Sequence, residues 1–361
     1  GRVTNAALIL LGTPKSVGRF LPHAETVFEW RDSETRIDFQ DRREFRTGLF
    51  LFLDELWSLV NLRNTRQSFR EGLFARDIPT FNEDAVREAI LNAVAHRDYR
   101  SQTSVFVRQS PATIEIESPG GFPPGVTLEN ILFRQVPRNR RLSETLAKVG
   151  LVERSGQGID RMFATSIREG KEPPDFKGSD AHRVSVVLRG TVQDPNFLRF
   201  LEKVGDSGTY VFATADLVLL DLLRNEKAIP AAFRARLKPL SEHGVIEQIG
   251  RGRGTKYILS KKFYDFVGAP AVYTRSRGLD RQTNKELLAQ HLRARGEKGS
   301  SFAELSEVLP TLSRPQVKSL LAELKANGRA RVEGVTRGAV WFASEEEMEL
   351  EKAKKSQKRS N

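Results

Sequence analysis

Glu88-Ala-Ile-Leu-Asn-Ala-Val-Ala-His-Arg-Asp-Tyr99 places Glu88, Asn92 and His96 at successive four-residue steps. On a helix this spacing sets the three polar groups in one row. Val86, Ala89, Ile90, Ala93 and Val94 fall largely on other faces and supply apolar surface to anchor the helix to a sheet. A carboxylate one turn before an amide suits metal-assisted phosphate chemistry. The carboxylate can take a proton from water, and the neutral amide oxygen can ligate a hard cation without adding charge. Read alone, the pair is equally an exposed helix face. His96-Arg97-Asp98-Tyr99 likewise has two readings: catalytic groups, or a helix end with a cation near the negative dipole terminus and a turn-forming Asp.

Two later segments turn the helix into part of a constellation. Thr113-Ile-Glu-Ile-Glu-Ser-Pro-Gly-Gly-Phe-Pro-Pro-Gly125 is an alternating strand running into a turn where backbone can approach a ligand closely. Gly150-Leu-Val-Glu-Arg-Ser-Gly-Gln-Gly-Ile-Asp160 reads as a glycine loop opening a second helix. A helix N-terminus offers free N–H groups and the positive end of the dipole, so it favours phosphate.

The order of E-x-x-x-N helix, strand with glycine turn, variable lid and G-x-G helix start resembles the GHKL (Bergerat-fold) ATPases. Glu88 to Tyr99, Ser118-Pro-Gly-Gly-Phe-Pro, Val136-Pro-Arg-Asn139 and Gly150 to Asp160 are more similar to the divergent GHKL branch of bacterial Alba/Schlafen-type transcriptional regulators. The resemblance covers about residues 5–190 and implies bound ATP and Mg2+. By position it implies Glu88 as general base, Asn92 as Mg2+ ligand, and Gly120, Gly121 and Gly125 as the nucleotide-edge turn. Gly156 and Gly158 would cradle phosphate, and Arg138 and Asn139 would lie in a lid over it. Members often carry a helicase-like label, yet no G-x-x-x-x-G-K-[ST] loop occurs in this sequence. One departure concerns the base. Where the resembling proteins have an Asp that accepts a hydrogen bond from the adenine amino group, this chain has Ser118, which lacks the charge that strengthens such a bond.

Bulk properties frame the rest. The 361 residues allow two or three domains, and with no cysteine neither disulfides nor thiolate metal sites can form. No apolar run reaches transmembrane length, so a cytoplasmic protein without membrane contact is expected. A net charge of +12 and a pI near 9.9 point to a polyanionic partner, DNA being the first expectation. The opening phrase through Gly12 follows an Alba-like domain in the resembling branch, so a fragment of a longer protein is expected.

The C-terminal half offers two places for DNA. Residues 214–225 and 231–243 read as helices, followed by strands 245–249 and 256–259 joined by Gly250-Arg-Gly-Arg-Gly254. This resembles a winged helix with a shortened second helix. Residues 284–295, 301–308 and 313–327 repeat the pattern with wing strands at 329–333 and 339–342. The outer face of the third helix of such a module enters the major groove. DNA contacts are therefore expected from Arg314, Gln316 and Lys318, with Arg251, Arg253 and Lys256 on the first wing and Arg337 on the second. Winged helices also serve as docking surfaces, and basic residues also serve solubility.

The expected fold class is α+β: a two-layer α/β sandwich of GHKL type followed by two winged-helix modules. The expected domains are 1–192 (nucleotide-binding), 193–268 (connector and first winged helix), 269–283 (linker), 284–343 (second winged helix) and 344–361 (charged tail). Residues 41–63 read as one long amphipathic helix, with Phe45, Leu49, Leu53, Leu56 and Val60 in a core or against a second protomer of a homodimer. The expected function is an ATP-responsive DNA-binding regulator, with Mg2+-dependent hydrolysis left open. Two alternatives stand beside it: a DNA-binding or assembly protein on a scaffold that has lost its nucleotide, and an ATPase subunit of a DNA-processing or phage-defence system.

Overall fold

The computed structural model describes residues 3–71, 74–152, 158–206, 210–249, 255–266, 281–310, 312–334 and 339–345. The chain divides into two compact units, Gly1–Gly268 and Ala269–Asn361.

The first unit is built on a mixed five-stranded sheet of order β2-β1-β5-β6-β7. Its strands are β1 (Thr26–Trp30), β2 (Asp41–Phe45), β5 (Val105–Gln109), β6 (Thr113–Pro119) and β7 (Arg183–Arg189). Only β1 and β5 pair in parallel. Alternation sorts the side chains: Phe28, Val107, Ile116 and Val186 lie in register across neighbouring strands and are buried. On the opposite face the neighbouring positions carry charge. Arg42, Glu29, Arg108, Glu117 and Arg183 form an ion-pair ladder across the sheet, with successive N to O distances of 3.1, 3.6, 3.1 and 3.0 Å. Glu29 is almost fully buried, so its arginine partners offset the cost of desolvating its carboxylate.

The apolar face is covered by α4 (Glu83–His96), which packs against β6 and against α6 (Gly158–Arg168). Asn82 caps α4 by accepting from the Ala85 N–H at 3.3 Å, and Glu83 and Asp84 complement the dipole. The helix stops where Arg97 turns extended. The guanidinium of Arg97, 2% exposed, donates through Nη2 to the carbonyls of His23 (2.5 Å), Thr103 (2.7 Å) and Ser101 (3.3 Å). It also lies over the Tyr99 ring. Arg97 thus acts as a clasp that fixes the end of α4 against two loops.

The long helix expected over 41–63 is corrected: the stretch is strand β2, a break, and then α3 (Leu49–Leu62). Asp41–Phe45 pairs antiparallel with β1, and Gly48 forms the helix N-cap. A Cβ at Gly48 would lie 2.6 Å from backbone atoms of Leu10, Leu11 and Gly12, so α1 (Asn5–Leu11) dictates the break. A two-stranded hairpin of β3 (Arg66–Glu71) and β4 (Phe74–Pro79) connects α3 to α4.

After β7 come α7 (Pro195–Asp206), α8 (Thr214–Arg224), a single 3-10 turn at Ala231–Phe233, α9 (Arg234–Glu242), and a hairpin of β8 (Ile246–Ile249) and β9 (Lys256–Leu259). A short helix, α10 (Lys261–Phe266), ends the unit, and α8 packs against α6. Asp216, fully buried on α8, takes two bonds from Arg236 on α9, at 2.7 and 2.8 Å, and one from Tyr210 at 3.1 Å.

The second unit contains α11 (Arg281–Arg295), β10 (Ser300–Ser301), α12 (Phe302–Val308), α13 (Arg314–Ala326), β11 (Ala330–Glu333) and β12 (Val340–Ala343). Its sheet order is β10-β12-β11, over a core that includes Leu288, Leu292, Leu305, Val317, Leu321 and Leu324. Ser301 caps α12, and Gly328, with φ +69°, ends α13 in the left-handed conformation. No helix among the described residues is long and apolar enough to cross a membrane.

Candidate functional site

A cavity of about 630 Å³ opens between α4, β6, α6 and the segment after the glycine turn. Glu88, Asn92 and His96 all line it, as their four-residue spacing requires. Asn92 Nδ2 donates to Glu88 Oε1 at 3.1 Å, which leaves the Asn92 Oδ1 without a partner among the described residues. Glu88 is 5% exposed. The His96 imidazole is held below its ordinary value by burial and then by the charge of Arg138, so it is neutral at neutral pH.

Ser118 faces the same cavity from β6, and its Oγ donates to the Ala93 carbonyl on α4 at 2.7 Å. Its hydroxyl proton is therefore committed, and what it offers the cavity is an acceptor. Ile116, Val184, Val186 and Met162 supply apolar wall around it.

Gly120 and Gly121 line the cavity too, but their backbones are engaged with protein. The Gly120 N–H donates to His182 O at 2.6 Å and that of Gly121 to Ala181 O at 3.2 Å. A Cβ at Gly121 would lie 2.6 Å from the Asp180 carbonyl. The close approach that demands glycine here is thus to the strand entering β7, not to an open ligand edge. Gly125 (φ +82°) is not in the wall; its carbonyl accepts from Arg134 Nη1 at 2.8 Å and Asn130 Nδ2 at 3.0 Å.

Arg138 and Asn139, expected over the phosphates, are engaged with protein carbonyls in this structure. Arg138 Nη2 donates to the Gly121 carbonyl. Asn139 Nδ2 donates to Arg97 O at 2.8 Å and Ala95 O at 3.0 Å, satisfying carbonyls at the end of α4. Gly156 lies outside the described residues. Gly158 begins α6, and a Cβ on it would overlap the Glu88 carboxylate. The start of α6 therefore has a protein anion against it.

Several wall residues lie outside every motif quoted above. The helix α5 (Arg140–Lys148) turns Arg140, Ser143, Glu144, Ala147 and Lys148 into the cavity, an i, i+3, i+4, i+7, i+8 row legible once the helix is known. Leu142 and Leu146 face the core instead. Asp160, in the first turn of α6, also lines the cavity; burial raises its pKa, and it has no hydrogen bond or ion pair among the described residues. In the HRDY stretch, Asp98 is held down to about 2 chiefly by its hydrogen bonds with Arg100, and burial pushes the Tyr99 phenol well above its ordinary range. Both serve the turn: the Asp98 N–H donates to Pro119 O at 2.8 Å and Tyr99 Oη to Val94 O at 3.0 Å.

Among the described residues no group of three or more His, Cys, Asp or Glu side chains forms a metal cage. Mg2+ bound with a polyphosphate needs only one or two protein ligands, and the unpartnered Asn92 Oδ1 beside a carboxylate fits that donor set.

Of the expected DNA contacts, Arg314 and Lys318 are exposed on α13 and Lys256 is exposed at the start of β9. Gln316 is engaged in holding the start of α13. Its Oε1 accepts from the N–H and Oγ of Ser313, at 2.8 and 2.9 Å, in a capping box. Arg251, Arg253 and Arg337 lie outside the described residues.

Similarity to known proteins agrees with this geometry at the level of class. Residues 102–188 match the family model described as "Putative ATP-dependent DNA helicase recG C-terminal", an ATPase-like domain. The match runs from the start of β5 nearly to the end of β7 and so takes in the glycine turn, α5 and α6 but not α4. The fold is similar to that of the DIP2311 protein from Corynebacterium diphtheriae, with a TM-score of 0.57 and 23% identity, over 70% of this chain and 55% of that one. No curated protein matches the chain.

Proposed function

We propose that the first unit binds ATP and that the chain is a DNA-binding regulator whose winged helices respond to the nucleotide. One observation carries this reading: Glu88, Asn92, Ser118, Gly120, Gly121 and Gly158, drawn from distant parts of the sequence, meet in one cavity of about 630 Å³. That volume suits a small-molecule site, and the ATPase-like match over 102–188 supports the same class. In this reading Ser118 Oγ accepts from the adenine amino group, its own proton being committed to Ala93. Asn92 would hold Mg2+ through Oδ1, and the ion, when bound, neutralises phosphate charge. Glu88, steadied by the Asn92 amide, stands as proton acceptor for an attacking water.

For DNA, the order α11, β10, α12, α13, β11, β12 with β10 paired to β12 supports a winged helix at 284–343. Exposed Arg314 and Lys318 on α13 suit a groove contact. The helices and hairpin of 193–268 support a second, abbreviated copy attached to the nucleotide-binding residues 1–192. The test is fluorescence anisotropy with labelled duplex DNA, with and without a non-hydrolysable ATP analogue and Mg2+. A several-fold change in affinity, falling steeply with salt, is expected. Equal affinity in both conditions would contradict the coupling.

One observation favours a nucleotide-free scaffold as second reading: the Glu88 carboxylate already lies against Gly158 at the start of α6. Nucleotide released from the purified protein on denaturation separates the two readings.

A further inference from the structure

The segment after the glycine turn, residues 123–134, is hydrogen-bonded within itself. The Val126 N–H donates to Pro123 O at 3.0 Å and the Thr127 N–H to Asn130 Oδ1 at 2.8 Å. Asn130 Nδ2 and Arg134 Nη1 both donate to Gly125 O, at 3.0 and 2.8 Å. The segment therefore holds together as a small body, in the manner of an Ω-loop, and meets the rest of the unit through side chains. Ile131, which is buried, and Leu132 line the cavity. The adjacent Phe133 packs elsewhere: its ring meets that of Phe233 edge to face, with centroids 5.3 Å apart and planes at 74°. Phe233 is buried and ends the 3-10 turn before α9, within the residues read above as the first winged helix.

That module is also joined to another wall of the cavity. The helix α8 packs against α6, whose Ile159, Asp160 and Met162 line the cavity, and the bonds from Arg236 to Asp216 tie α9 to α8. The contacts form a closed ring from the lid through Phe133, Phe233, α9, α8 and α6, and back across the cavity. Helix packing joins α8 to α6, and a charge-assisted pair on a fully buried carboxylate joins α9 to α8. Phe133, 46% exposed, contributes one ring contact, so the ring of contacts opens there first. We propose that Phe133 on Phe233 is a latch that passes occupancy of the cavity to the first winged helix. With the cavity empty the latch holds the lid to α9. A nucleotide draws Ile131 and Leu132 onto itself, because closure buries apolar surface, and Phe133 leaves Phe233. This rests on the nucleotide-responsive reading above and adds to it the contact that carries the response. A latch that opposes closure is linked reciprocally to the ligand, so weakening the latch tightens the nucleotide.

The test compares wild type, Phe133→Ala and Phe133→Tyr. Calorimetry gives the affinity for a non-hydrolysable ATP analogue with Mg2+, and anisotropy gives the affinity for a fluorescein-labelled mixed-sequence duplex with and without that analogue. Phe133 is half-exposed, so both variants keep the fold. Phe133→Ala should bind the analogue about fivefold more tightly, the factor an edge-to-face aromatic pair is worth. Its DNA affinity should equal that of the nucleotide-bound wild type whether or not the analogue is present. Phe133→Tyr, which keeps the ring, should behave as wild type. Unchanged or weaker analogue binding by Phe133→Ala, or a DNA response of wild-type size, overturns the latch while the nucleotide reading stands. If wild type binds no analogue, or its DNA affinity does not respond to it, both fall.

Discussion

Gly158 and Glu88 are packed so closely that any side chain at 158 would overlap the carboxylate. The contact joins the start of α6 to the middle of α4, so the two helices that bound the cavity are registered by a glycine and an acid. Gly158→Ala should therefore destabilise the fold by about 1–3 kcal/mol. In a Glu88→Ala background most of that loss should vanish, because the obstructing group is gone. A double-mutant cycle by urea unfolding measures the coupling; additive losses would mean the two residues do not act together.

Glu88→Gln keeps the size and most hydrogen bonds of the side chain but cannot accept a proton from water. If the chain hydrolyses ATP, turnover should fall by at least about a hundredfold while nucleotide affinity stays within a few-fold of wild type. Steady-state phosphate release beside a binding titration resolves the two effects. Parallel loss of both would make Glu88 a structural group.

Arg97 supplies one buried cation to three carbonyls. Arg97→Met leaves those carbonyls unsatisfied and should cost roughly 3 kcal/mol. Arg97→Lys should recover only part of the loss: all three bonds come from the one nitrogen Nη2, which an ammonium can imitate, but the shorter side chain gives up the stacking over Tyr99. Chemical denaturation of both variants checks this, and a loss below about 0.5 kcal/mol in Arg97→Met, the scale of ordinary surface changes, would contradict the clasp.

The pH dependence has a definite sign. Burial depresses the His96 pKa below 6.5, so just below that pH the unfolded chain binds more protons than the fold. The contribution is complete above 6.5 and is lost as pH falls through that value toward the folded pKa. Urea unfolding at about pH 7.5 and about pH 5.5 should show wild type losing more stability than His96→Gln, by up to about 1.4 kcal/mol for each unit of pKa difference. Identical losses would remove His96 as the cause.

The helix α4 is legible in the sequence because its information is local: Asn82 caps it, and Glu88, Asn92 and His96 recur at helical spacing. The β2 and α3 stretch misleads for a physical reason. Phe45, Leu49, Leu53, Leu56 and Val60 keep helical spacing across a strand, a break and a helix, and the break comes from α1 lying on Gly48. The glycine turn shows the same limit: the requirement at Gly121 is set by the carbonyls of Asp180 and Ala181, and that at Gly120, with φ +93°, by Asp98, contacts no local pattern reveals. In α5 the apolar face of Leu142 and Leu146 is a local signal, but that the polar row of Arg140, Ser143 and Lys148 lines the cavity emerges only from the fold.

The most direct test of the central claim is calorimetric titration of the chain with a non-hydrolysable ATP analogue and Mg2+, beside Asn92→Ala. The Asn92 amide is half of the Glu88 pair and carries the free oxygen suited to the cation. Binding that requires Mg2+ in wild type and is lost in Asn92→Ala, with melting temperature unchanged in the absence of ligand, is the predicted result. No heat and no thermal stabilisation of the wild-type chain at millimolar nucleotide, where mass action reveals any useful affinity, would contradict it.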